Sequence, residues 1–200
     1  MGRKLIAILM GAAALPLMSA PAMAQDKGVN CMRAEYSTAQ RDELAELGPQ
    51  VSVFGAQINQ AVFDQIGDIA MTAIESCVAN NGWTQEQAIY ATFFELGRLN
   101  EAAYRASGQL SDEELGLLDS ALATGNRDRL WDVIEAGVMA GMGDTEAPVA
   151  NGDAMVMGAF LIGSGLDVEN ESLMVAEKVG LLLGFMGLQR LGRREFGNLR

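Results

Sequence analysis

The chain contains no histidine in its 200 residues, and this absence removes more chemistry than any motif adds. Without imidazole there is neither a Ser-His-Asp nor a Cys-His relay, and the commonest metal ligand is missing. Lysine is almost as scarce: beyond residue 24 only Lys27 and Lys178 remain, and neither stands in a Ser-x-x-Lys or phosphate-loop pattern. Ser164 lies in Gly163-Ser164-Gly165, but Ile162 occupies the position where a nucleophile elbow requires glycine. No alternating β-branched stretch is long enough to argue for a sheet. No catalytic residue, and no cofactor, is expected from these patterns.

Cysteine occurs twice. In an exported chain two cysteines most often pair, so a structural Cys31–Cys77 disulfide is expected, fastening the N-terminal segment to the end of a long helix. Export itself is read from residues 1–24. Arg3 and Lys4 precede an apolar run over residues 5–15, Pro16 breaks it, and Ala22-Met23-Ala24 offers a signal-peptidase site before Gln25. No lipobox precedes Cys31, so the expected product is a free periplasmic or secreted protein, a single helical domain over residues 25–200.

Positive charge is scarce as well. The whole chain carries 14 basic and 26 acidic residues, a net charge of −12. Such a surface repels nucleic acid. The balance is uneven, since residues 25–171 hold 7 basic and 24 acidic groups, whereas residues 172–200 hold 5 and 2. Arg190, Arg193 and Arg194 fit the last turns of a helix, where cations offset exposed carbonyl dipoles by about 0.3–1 kcal/mol each. Weak contact with an anionic membrane surface is the sharper alternative for this basic end.

The remaining pattern is helical throughout and predicts an all-α, single-domain bundle of about six or seven helices. Ser37 with Gln40, Thr84 with Gln87 and Ser111 with Glu114 have capping-box spacing. An apolar stripe from Val51 through Phe54, Ile58, Val62, Ile66, Ile69 and Ala73 to Cys77 predicts a long second helix, stopped by Asn80-Asn81-Gly82. Further helices follow from Thr84, Ser111 and about Asn126, and residues 143–153 read as a loop. Residues 154–166 and 179–188 are glycine-rich and apolar nearly all round, a helix pair expected at the centre of the bundle. Both are too short for a membrane span, and the acids between them make insertion costly. Gly137, Gly141, Gly180 and Gly184 are spaced for close helix contact, within one chain or across a dimer.

Three readings of function follow. In the first, a non-enzymatic exported protein binds a partner protein or an apolar, lipid-like ligand in a pocket lined by Met155, Phe160, Leu182 and Met186. In the second, paired carboxylates such as Glu95 with Glu101, or Asp64 with Asp68, cleave envelope glycans. In the third, the thioethers of Met139, Met142, Met155 and Met157 carry Cu(I). The bland explanations are a solvated polar face for the acids and core packing for the methionines. Asp167, Glu169 and Glu171 fit a helix start better than a calcium loop. Trp83, Trp131, Tyr90, Phe93, Phe94 and Tyr104 read as core or rim.

Overall fold

The computed structural model describes residues 28–52, 59–142, 151–166 and 172–199. Side chains are described for these residues except 151 and 172–174. The export segment, Phe54, Ile58, and the acids Asp167, Glu169 and Glu171 lie outside them. The chain forms an all-α bundle: α1 (Met32–Glu35), α2 (Thr38–Leu47), α3 (Gln60–Asn81), α4 (Gln85–Ala106), α5 (Asp112–Ala123), α6 (Asp128–Met142), α7 (Asn151–Gly163) and α8 (Ser172–Asn198). Among the described residues no helix is long and apolar enough to cross a membrane.

Local sequence explains most of the boundaries. All three capping boxes form, at Ser37, Thr84 and Ser111, each side chain accepting from the backbone three residues on while Gln40, Gln87 or Glu114 reaches back. Gly82 closes α3 with φ +66°, a left-handed conformation that glycine adopts without the steric cost of a Cβ.

Two elements differ from expectation. The second helix begins at Gln60 rather than Val51, because Gly48–Gln50 forms a 3-10 turn and leaves Val51 extended and buried. The Asn59 N–H donates to the Ser52 carbonyl at 3.1 Å just before α3 starts. The last helix is far longer than residues 179–188 and runs Ser172–Asn198. Its buried face continues past the glycines through Leu191 and Phe196.

Helix α8 is central, as its composition implied, but its principal partners are α4 and α6, and α7 packs chiefly against α6. The expected central pair is therefore split: α8 lies in the middle, while α7 leaves Met155 and Ile162 in solvent. The close glycine contacts also lie elsewhere. A Cβ at Gly97 would stand 2.6 Å from the Gln189 nitrogen and the Phe185 carbonyl, and one at Gly192 2.4 Å from the Phe94 nitrogen. The antiparallel α4 and α8 thus meet backbone to backbone. Gly137, Gly141, Gly180 and Gly184, the spaced set in the sequence, face open space.

The disulfide joins Cys31 to Cys77, with Cα atoms 6.1 Å apart, and pins the turn before α1 against the last turns of α3. Asn81 Nδ2 donates to Cys31 Sγ at 3.1 Å and to the Cys77 carbonyl at 3.0 Å, closing the junction. This attachment holds α1 against α3, and a cleft opens beside α1, α2 and α4.

Candidate functional site

Four of the seven basic residues of the acidic body converge on one cleft of about 720 Å³, open to solvent between α1, α2 and α4. Arg33 comes from α1, Arg41 from α2, and Arg98 and Arg105 from α4, with Tyr36, Glu101 and Gln189 completing the polar lining. The α4 contribution follows from helical spacing: residues 98, 101, 102 and 105 fall on one face. The opposite character is supplied by Leu44, Ile66 and Leu99 and by the small side chains Ala102, Ala103 and Ala106. Gly48 sets how closely α2 can approach. A Cβ there would lie 3.3 Å from the Ala106 Cβ and 3.5 Å from the Ala103 Cα.

The four arginines are not equivalent. Arg98 sends Nε and Nη2 to the two carboxylate oxygens of Glu95, at 3.0 and 2.5 Å, and the Tyr36 hydroxyl donates to the same carboxylate at 2.5 Å. Glu95 is 0% exposed, so three donors hold a fully buried charge. Burial, with Glu95 beside it, pushes the Tyr36 hydroxyl well above the usual tyrosine range. Burial works against the Arg98 charge, but its bonds to Glu95 outweigh that and hold the guanidinium protonated more firmly than usual.

Arg105 is engaged at every nitrogen: Nε donates to Glu101 at 3.0 Å, and Nη1 and Nη2 donate to Asp119 at 3.1 and 2.9 Å. Gln189 Nε2 holds the other Glu101 oxygen at 2.9 Å. Arg33 and Arg41, by contrast, are exposed and make no side-chain hydrogen bond or ion pair with any described residue. Two cations are fixed by protein partners at the wall, and two stand uncommitted at the rim.

Gln189 is shared with a smaller cleft of about 350 Å³, which Glu135, Arg190, Arg193 and Arg194 complete. Here the cations are occupied. Arg190 and Arg194 both pair with the buried Glu135. The Arg190 guanidinium also lies 4.4 Å from the Trp131 ring centre, and that of Arg193 4.9 Å from Phe94. The basic end of α8 is in large part a clamp onto α6 and α4.

The residues singled out in the sequence have other surroundings. Phe160 and Leu182 are buried in the core, Met186 packs half-buried against it, and Met155 is 73% exposed, so the four do not share one environment. Met139 and Met142 are exposed on α6; Met155 and Met157, two residues apart on α7, turn to solvent and to core respectively. Among the described residues one group of metal-type side chains comes together, Cys31, Glu35 and Cys77, and the disulfide consumes both thiols.

Of the carboxylate pairs, Glu95 is sealed in the wall and Glu101 is held by Arg105 and Gln189. Asp64 and Asp68 are exposed on α3, Asp64 accepting from Gln60 at 2.8 Å. Trp83 is buried edge-on to Phe196, and Phe94 and Tyr104 are core.

Sequence reasoning overlooked Arg33, Arg41, Arg98 and Arg105. The available signal was Arg98, Glu101 and Arg105 on a single face of α4. Compared with models of known families, with curated proteins and with solved structures, the chain matches none.

Proposed function

We propose that this chain is an exported, non-enzymatic binding protein whose cleft between α1, α2 and α4 takes an anionic ligand with an apolar body. One observation carries the reading: in a protein with net charge −12, four arginines line a single cleft, two of them without a partner among the described residues, against a wall of leucine, isoleucine and alanine. Glu95, Glu101 and Asp119 balance Arg98 and Arg105, and Arg33 and Arg41 are left for an outside anion to balance. The volume falls in the range of small-molecule sites, and few polar groups facing a largely apolar wall is how such sites orient a ligand.

Export is supported by the signal-like pattern of residues 1–24 and by the disulfide, which suits an oxidising compartment. A binding role is favoured over glycan cleavage because Glu95 is buried under bonds from Tyr36 and Arg98, and Glu101 is bonded to Arg105 and Gln189.

Calorimetric titration of the disulfide-bonded protein with laurate, dodecylamine and dodecanol tests the proposal. These probes share a chain and differ in head charge. Saturable binding of laurate, with dodecylamine and dodecanol weaker by about tenfold or more, is expected. Equal affinity for all three would reduce the cleft to an unselective apolar surface.

A further inference from the structure

We infer that the head group this cleft takes is a dianionic phosphate monoester. The inference rests on the reading above and concerns what the uncommitted donors match. Arg98 is balanced by Glu95, and Arg105 by Glu101 and Asp119. Arg33 and Arg41 remain, two guanidinium groups that line the cleft and make no side-chain hydrogen bond or ion pair with any described residue.

A carboxylate brings one charge and two oxygens and would leave one of the two forks unbalanced. A phosphate monoester brings about −1.5 to −2 charge at neutral pH and three acceptor oxygens. That is enough for two guanidiniums binding in their planar, two-pronged geometry. The fixed pairs behind the rim serve the same end. Arg105 cannot swing away from Glu101 and Asp119, and Glu95 anchors Arg98, so the wall keeps its charge pattern before a ligand arrives.

Titration of the disulfide-bonded chain with dodecyl phosphate, laurate and inorganic phosphate distinguishes the alternatives. Dodecyl phosphate is expected to bind at least about tenfold more tightly than laurate, and inorganic phosphate more weakly than either because it leaves the apolar wall unused. Arg33→Ala and Arg41→Ala should each weaken dodecyl phosphate by about tenfold at an unchanged melting temperature, since both side chains are exposed and unbonded. Arg41→Lys should recover only part of the loss.

Laurate binding as tightly as dodecyl phosphate overturns the phosphate assignment and leaves the anionic-ligand reading standing. Failure of both amphiphiles to bind overturns that reading as well. Inorganic phosphate matching dodecyl phosphate upholds the head-group chemistry and makes free phosphate its source. Arginine variants that bind dodecyl phosphate as the parent does place the ligand elsewhere and end the proposal.

Discussion

Glu95 illustrates how much one residue can demand of its neighbours. A carboxylate with no exposure needs its charge met in full, and Tyr36 and Arg98, distant and near in sequence, supply three bonds between them. Glu95→Gln replaces a charge-assisted acceptor with a neutral amide beside an unanswered guanidinium. The expected cost is about 2–3 kcal/mol in urea unfolding, less than for a wholly buried pair because Arg98 reaches solvent. Tyr104 is the opposite case, a core tyrosine whose hydroxyl has no hydrogen-bond partner among the described residues. Tyr104→Phe removes a desolvated polar group at no loss of packing, so stability should hold or rise by about 1 kcal/mol. A clear destabilisation would mean that the hydroxyl is satisfied.

Both tyrosines are also alkaline markers. Burial comes first for each, with Glu95 near Tyr36 and Glu114 near Tyr104, and both hydroxyls are held above the ordinary value of 10.0. In the unfolded chain they ionise near that ordinary value, while the native state keeps its protons. Their contribution is therefore complete below about pH 10 and is lost as pH rises beyond it, at about 1.4 kcal/mol per pH unit for each. Unfolding midpoints measured between pH 8 and 11 should fall in the upper half of that range, and the double Tyr→Phe variant should flatten the fall.

Among the elements, α4 and α8 form the pair on which the bundle is built, and their glycines divide into two kinds. Gly97→Ala would drive a methyl into α8 backbone and should cost about 1–3 kcal/mol. Gly184→Ala, on the open side of the same helix, should be neutral or stabilising by up to about 1 kcal/mol, because alanine restricts the unfolded chain and favours helix. Thermal unfolding of the two variants compares them directly. The Cys31–Cys77 link spans a separation of 46 residues, and its reduction should cost about 4 kcal/mol if loop entropy dominates.

Legibility at this scale followed the physics of each signal. Capping boxes involve residues three apart and are local, so all three were readable. A stripe of apolar residues shows which face is buried but not against what, so α8 was recognisable as central while its partners were not. Gly97 and Gly192 carry no spacing motif, whereas Gly180 and Gly184 do, and only the tertiary arrangement decides which pair meets a neighbouring helix.

For the whole molecule, the charge distribution is what the proposed function rests on. Composition showed a strongly acidic protein and located its basic end, yet Arg190 and Arg194 prove to be tied to Glu135, and Arg33 and Arg41 in the acidic body make no side-chain hydrogen bond or ion pair among the described residues. This could not be read from the sequence. The four cleft arginines span residues 33–105 and come together because the disulfide ties the turn before α1 to α3 while α2 packs against α3 and α4. Methionine pairs and carboxylate pairs, visible at short spacing, drew attention to places where helical geometry turns the side chains apart or seals them.

The most direct test of an anion-binding cleft is native mass spectrometry of the disulfide-bonded protein purified gently from cells that produce it, alongside the Arg33→Ala/Arg41→Ala double variant. The account predicts an added non-covalent mass from an anionic amphiphile on the parent protein, lost on denaturation and absent from the variant. A ligand retained equally by both proteins, or a bare parent chain that also fails to take up added laurate and dodecyl phosphate, would contradict it.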